Sequence, residues 1–194
     1  MITAEEIINL KKPDLQTDIL EILKNRFSPR FFTPEKIKDE EINSIFEAAR
    51  WTPSAYNNQP WYFYFIETKT KAFKKVLNCL PELNQWAKTS AALAIACYLK
   101  DKDENKAKYA QYDLGASVMS LVIQAQSLGY YARQMALFDK EKLIKEIKIN
   151  KNHYPFVIVA LGKLGDYQKI DQSLLERELR PRERKRKNNI MIEI

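Results

Sequence analysis

Pro53-Ser54-Ala55-Tyr56-Asn57-Asn58-Gln59-Pro60-Trp61-Tyr62-Phe63-Tyr64-Phe65-Ile66 decides how the rest of the chain is read. Two prolines bracket a run of amides and hydroxyls, the composition of a stiff polar turn. The turn feeds directly into an aromatic and apolar run from Trp61 to Ile66, which predicts a strand buried on both faces. Upstream, Ile42, Ile45, Phe46 and Ala49 recur at 3.6-residue spacing and predict a helix with one buried face. Asp39 is its expected N-cap, Glu40 and Glu41 complement the helix dipole, and Pro53 stops it. Helix, polar turn and buried strand thus follow one another within about thirty residues, counting from Asp39.

The same reading extends in both directions. Ile19, Leu20, Ile22 and Leu23 give an apolar face to the end of a helix over Asp18 to Arg26. Before it, Thr3-Ala4-Glu5-Glu6 can cap a short extra helix that Pro13 breaks. Downstream, Lys69 to Leu80 is helical in pattern, and the small apolar run Ala91 to Leu99 predicts a central strand. Tyr109 to Leu128 predicts the longest helix, apolar around most of its circumference, with Gly129 just past its end. Tyr130 to Leu137 and Pro155 to Gly162 predict two more strands, with an Asp139-capped helix through Ile147 between them. Residues 163–194 are charged and end in Ile190-Met191-Ile192-Glu193-Ile194, short enough only to add a strand to a sheet, including that of another subunit. The expectation is one α+β domain over residues 1–194, with 1–17 as an N-terminal extension.

Composition narrows the chemistry. With 194 residues, 45% hydrophobic and 29% charged, the chain has the balance of a globular protein. Neither G-x-G-x-x-G nor G-x-x-x-x-G-K-[ST] occurs, and there are only 4 glycines, so a phosphate must be held by side chains. Cys79 and Cys97 lie in apolar surroundings far from any C-x-x-C spacing and read as buried thiols. A single histidine, His153 at a strand entry, excludes most multi-histidine metal sites. The N-terminus shows no basic region followed by an apolar run, and Ala91 to Leu99 is too short to span a bilayer, so a cytoplasmic location without membrane contact is expected. Much of the net charge of +7 falls in Arg177 to Lys187. That cluster reads as a nucleic-acid patch, a phosphate-binding tail or a solvated tail. Arg180 to Lys187 has no interleaved aromatic for base stacking, so no nucleic-acid partner is expected.

One further segment carries chemistry. Arg26-Phe27-Ser28-Pro29-Arg30-Phe31-Phe32 sets two guanidiniums and a hydroxyl within five residues at the end of a helical pattern. It reads as a site for an anion, or as a solvated helix end. With the polar turn it suits a flat ligand that carries both a phosphate and a hydrogen-bonding ring.

Both segments, in this order and spacing, resemble the FMN-binding signature of the nitroreductase family. The first is similar to its R-x-S-x-R-x-F motif, and Ala48 to Trp61 resembles its A-x-x-x-P-S-x-x-N-x-Q-P-W motif almost position for position. Asp113-Leu114-Gly115-Ala116 and Ser127-Leu128-Gly129-Tyr130 look like its long central helix, and Arg133 to Asp139 like a variant of its next strand and turn. The resemblance covers about Asp18 to Met191. It implies a three-layer α/β/α sandwich with a central mostly antiparallel sheet and an intertwined homodimer, with the arm 163–194 exchanged between subunits.

The resemblance also implies a cofactor, FMN, and a set of contacts. Arg26, Phe27 and Ser28 would hold its phosphate and ribityl end, and Arg30 its N1–O2 edge, where a cation raises the potential. Pro53, Ser54, Asn57 and Gln59 would come from the second subunit. Asn84 matches an asparagine near the flavin and reads equally as a polar loop residue. Met135 and Ala136 would face flavin N5, and Arg182 and Arg184 would clamp the phosphate. Leu137 departs from the pattern, because the family usually has glycine there and leucine resists positive φ. No side chain is expected to act as a catalytic acid, base or nucleophile, and no metal is expected. The implied activity is hydride transfer from NADH or NADPH to FMN at N5. A nitroaromatic, quinone or related acceptor is then reduced in a ping-pong sequence. Dehalogenation, enone reduction, flavin fragmentation and flavin binding without turnover are the alternatives.

Overall fold

Two strands, β3 (Ala92–Leu99) and β5 (His153–Leu164), pair antiparallel and form the middle of the sheet. Their side chains alternate between two packed cores. Ala92, Ala94, Ala96, Val157, Val159 and Leu161 face one. Leu93, Ile95, Cys97, Ile158 and Ala160 face the other. The first face is built largely of alanine, so it accepts long side chains from above. Leu114, Val118, Leu121, Val122 and Ala125 of α5 (Glu104–Ser127) and Ile45 and Ala49 of α3 (Asp39–Arg50) fill it. The second face is bulkier and is covered by α4 (Lys71–Leu77), the 3₁₀ stretch Glu82–Thr89 and α6 (Lys140–Ile147). On the first face large helix side chains sit opposite small strand ones, the complementarity that a close-packed core needs.

Three more strands complete the sheet, and every pairing among the described residues is antiparallel. β2 (Trp61–Glu67) lies along β3, while β4 (Tyr131–Met135) lies along β5. β1 (Phe32–Thr33) pairs with Lys163 and Leu164 at the far end of β5. The expected α+β sandwich of three layers is the architecture observed. The computed structural model describes residues 2–194. No helix among them is long and apolar enough to cross a membrane.

Several local expectations need correction. β2 is an edge strand, not one buried on both faces, and Tyr62 is 40% exposed. The helix expected over Asp18 to Arg26 shrinks to α2 (Glu21–Asn25), which buries no residue, and Ile19 and Leu20 stand exposed. The N-cap of α3 is Lys38, whose extended backbone turns the chain one residue before Asp39, and Glu41 accepts from its N–H at 3.3 Å. α5 begins at Glu104, five residues before Tyr109, because Asp103 caps it by accepting from the N–H groups of Asn105 and Lys106. Its apolar circumference is not fully covered, since Met119 remains exposed. Residues 190–194 add no strand to the sheet of their own chain and stay exposed. By contrast α1 (Ala4–Leu10) has the expected Thr3–Glu6 capping box, Asp139 caps α6, and Gly129 takes φ 79° after α5.

The closest backbone approach lies where β1 meets β5. Gly165 N–H donates to the Phe31 carbonyl at 3.1 Å, and a Cβ at Gly165 would sit 2.3 Å from Cδ1 of the Phe31 ring. That ring packs edge-on against Tyr167 and has little room to yield. Gly165→Ala is therefore expected to lose about 1–3 kcal/mol of stability, read as a lower denaturation midpoint in urea.

His153 opens β5 and gives a second test. Tyr64 hydroxyl accepts the Asn150 N–H at 2.9 Å and lies 2.8 Å from His153 Nδ1, within hydrogen-bond reach. The ring stacks on Tyr62, and burial holds its pKa below the ordinary value. A folded-state pKa below that of the unfolded chain means stability is present near neutrality and lost as pH falls through the folded pKa. Urea midpoints should therefore drop on acidification below about pH 6.5, and the His153→Gln protein should show a shallower drop.

Candidate functional site

The pairing of β1 with β5 carries the segment just before it, Arg26 to Arg30, onto the C-terminal arm. α7 (Gln172–Glu178) and the chain after it pack against this segment. Together they line a cavity of about 260 Å³. Arg26, Ser28, Arg30, Arg182 and Arg184 are all on its wall, and Phe27 lines it while its ring packs tilted against Tyr131, centroids 4.9 Å apart. Eight basic side chains share the wall with two carboxylates, Glu178 and Glu183.

Crowding shows in the electrostatics. Burial, then repulsion from Arg30, brings the Arg133 guanidinium down to about 10. Burial lowers Arg26, Arg182 and Lys11 in the same direction, and the neighbouring arginines add to it. Some of these charges are already committed. Lys11 Nζ donates to the carbonyls of Glu178 and Arg180. Arg182 Nη1 donates to the carbonyls of Lys11 at 2.9 Å and Lys24 at 2.6 Å, tying the arm to the ends of α1 and α2. Arg26 has only a long contact to Ser28 Oγ at 3.4 Å, and Arg184 only the neighbouring Glu183 carbonyl. Arg30 Nε is buried with no acceptor among the described residues. An unpartnered buried donor among surplus cations fits a ligand that brings negative charge and acceptor oxygens, as an FMN phosphate and N1–O2 edge do.

The polar turn is elsewhere. Pro53, Ser54, Asn57 and Gln59 contribute nothing to this cavity; their loop borders a separate one of about 670 Å³ through Tyr56, Asn58 and Pro60. Ser54 Oγ accepts the Gln59 N–H at 2.9 Å, and Gln59 Nε2 reaches Asn57 O and Oδ1 at 3.2 Å. Buried Asp113 of α5 pins the loop by accepting from the Ala55 N–H at 3.1 Å. Tyr56, Asn57 and Gln59 all have positive φ, an unusual run for three residues that are not glycine.

Three other expected residues cluster at the end of β4. Asn84 is buried and donates from Nδ2 to the Leu137 carbonyl at 3.0 Å, so it fixes the turn after β4. Met135 points into the core while Ala136 is exposed, and neither lines the cation cavity. Leu137 has no positive φ, so its turn does without the conformation a glycine would permit.

Lys11, Arg133 and Glu178 were not foreseen at this site. Arg133 stands 5.4 Å over the Trp86 ring and donates from Nη1 to the Ser28 carbonyl. An arginine inside a predicted strand was its one available signal. Lys11 and Glu178 gave none, since both come from termini with ordinary charged composition.

An α+β protein of three layers, with an antiparallel sheet and a cation-lined cavity where β1, β5 and the C-terminal arm meet, has the nitroreductase fold. A family model described as Nitroreductase family matches residues 23–163, and the chain belongs to that family and is an oxidoreductase. It is 39% identical over 114 residues to an uncharacterised 15.4 kDa protein of Mycolicibacterium smegmatis, covering 59% of this chain and 77% of that one. It is 27% identical over 192 residues to YdgI of Bacillus subtilis, named as a candidate NAD(P)H nitroreductase, covering 77% and 90%. A crystal structure of an oxidoreductase containing FMN superposes with a TM-score of 0.83 at 27% identity, over 94% of this chain and 95% of that one.

Arg182 tests how far the cavity wall is structural. Removing a charged donor shared by two carbonyls leaves both acceptors short, so Arg182→Met is expected to cost about 1–3 kcal/mol. The expected readout is a lower urea midpoint, with the cavity's remaining cations still able to bind anions.

Proposed function

We propose that the chain is a cytoplasmic FMN-dependent oxidoreductase that uses NADH or NADPH to reduce nitroaromatic, quinone or related acceptors. The observation that carries this reading is the cavity beside Ser28, whose wall carries eight basic side chains, Arg30 included, against two carboxylates. When bound, FMN supplies the chemistry: it accepts hydride at N5 and passes electrons to the acceptor in a ping-pong sequence. The chain's own residues bind and orient. Arg26, Arg184 and Ser28 suit the phosphate and ribityl end. Arg30, with its buried Nε, suits the N1–O2 edge, where a fixed cation favours the charge that reduction adds. Met135 and Ala136, on the turn that Asn84 anchors, suit the N5 side.

The same reading makes the protein a homodimer, with residues 1–194 as one domain. Arginines and polar turn sit on different cavities of one chain, so Ser54, Asn57 and Gln59 would serve the partner's cofactor. Exposed apolar groups support this: Leu15, Ile19, Met119 and Ile190 line a groove of about 800 Å³ next to Arg26. The arm is hydrogen-bonded within its own chain as far as Lys187, whose N–H donates to Gln16. On this reading the arm 163–194 is exchanged between subunits, with the exposed tail Ile190–Ile194 at its end.

The visible spectrum of the purified protein, followed by anaerobic addition of NADH and NADPH, tests the core of the proposal. A flavin band that bleaches is expected; no flavin even after incubation with FMN would refute it. Arg26→Ala should weaken FMN binding by about tenfold to a hundredfold, the worth of a charge-assisted hydrogen bond, in a fluorescence titration.

A further inference from the structure

Glu178 is the one carboxylate buried in the cation cavity, with 1% of its side chain exposed. It lies on α7, outside the matched family span of residues 23–163. Its oxygens are spent almost entirely on one neighbour. Glu178 Oε1 accepts from the Arg30 backbone N–H at 3.0 Å and from Arg30 Nη1 at 3.2 Å, while Oε2 takes the Tyr167 hydroxyl at 3.5 Å. The Arg177 carbonyl, on the same helix, lies 3.5 Å from Arg30 Nη1. One end of the Arg30 guanidinium is thus held by α7, and the buried Nε is left without an acceptor. Lys11, donating to the Glu178 and Arg180 carbonyls, fixes α7 from the other side.

A carboxylate buried this deeply is costly unless paired, and it is paired with the arginine proposed to face the flavin ring. We propose that Glu178 is a positioning residue that aims Arg30 at the flavin N1–O2 edge and offsets part of its charge there, so that it holds the flavin potential down. This rests on the reading of Arg30 given above. The carboxylate fixes both the backbone and the side chain of Arg30, which sets where the guanidinium points. Its negative charge opposes the charge that the N1–O2 edge gains on reduction, and in a poorly hydrated cavity such opposition is weakly screened.

The test compares the wild-type protein with Glu178→Gln and Glu178→Asp. Each is loaded with FMN and titrated anaerobically against a reference redox dye, and the FMN-free forms are melted in parallel. Glu178→Gln should shift the equilibrium about tenfold toward reduced flavin, which for a two-electron couple is about 30 mV. Glu178→Asp keeps the charge but retracts it, and should fall between. Should the glutamine variant fail to fold, the aspartate variant decides alone. A merely structural Glu178 would lower the melting temperature of the FMN-free protein and leave the dye equilibrium at the wild-type value, which overturns the inference. Wild-type protein that binds no FMN would instead overturn the functional reading, and this inference with it.

Discussion

Everything in this fold hangs on the β3–β5 ladder, because its middle, Ala92–Cys97 against Val157–Leu161, is buried on both faces at once. That constraint leaves no place for a polar side chain between Ala92 and Cys97, and it divides the residues by size. Alanines look toward α5 and α3, leucine and isoleucine toward α4 and α6. A helix of 24 residues can lie across the small face only because its own Leu114, Val118 and Leu121 supply the volume that the alanines omit. β5 then outruns β3 at its C-terminal end, and Lys163 and Leu164 are left to pair with β1. This overhang delivers Arg30 to the cavity: the site is placed by the length of one strand.

The cavity itself works against stability. Eight basic groups converge with little negative charge, and burial depresses several of the guanidiniums. The chain manages this with backbone carbonyls. Lys11 and Arg182 each face two of them, and Arg133 faces the Ser28 carbonyl and the Trp86 ring. Carbonyl dipoles stabilise a cation without neutralising it, so the field that an anionic ligand would meet survives. A set of ordinary ion pairs would have stabilised the free protein better and left less for a ligand to bind.

Much of this was legible in the sequence, and the failures have a common cause. Strand β3, helix α6 with its Asp139 cap and the Gly129 end of α5 follow local rules that need only neighbours in the chain. Arg26, Ser28 and Arg30 were legible as a group because they lie within five residues. The failures are matters of tertiary context. An apolar run such as Trp61–Ile66 looks the same in an edge strand as in a central one, and only the strand order shows that Tyr62 meets solvent. Ile19 and Leu20 have the spacing of a buried helix face, yet nothing in the same chain covers them. β1 is two residues long and exists only because β5 is there to pair with it. Glu178 reaches Arg30 across 148 positions, and Arg133 reaches Ser28 across 105, so no local pattern announces either.

The polar turn brings these threads together. Three residues other than glycine at positive φ cost on the order of 1–3 kcal/mol each. Within this chain the turn gains its own internal hydrogen bonds, the Asp113 anchor and, at its end, the Leu99 N–H on the Pro60 carbonyl, while Tyr56 stands 90% exposed at its tip. Strain of that size persists where the surrounding structure imposes it, and it is informative where the structure gains nothing local in return. Here the anchor is rigid: Asp113 sits on the buried side of the longest helix, and Pro53 and Pro60 limit the backbone at either end. The loop is therefore held ready in a conformation whose benefit lies outside the chain. In the proposed homodimer a second copy would meet the first along the exposed apolar groups around Ile19 and Met119 and complete the composite site. Backbone strain, exposed apolar surface and an anion cavity short of acceptors then become three views of one unmet requirement.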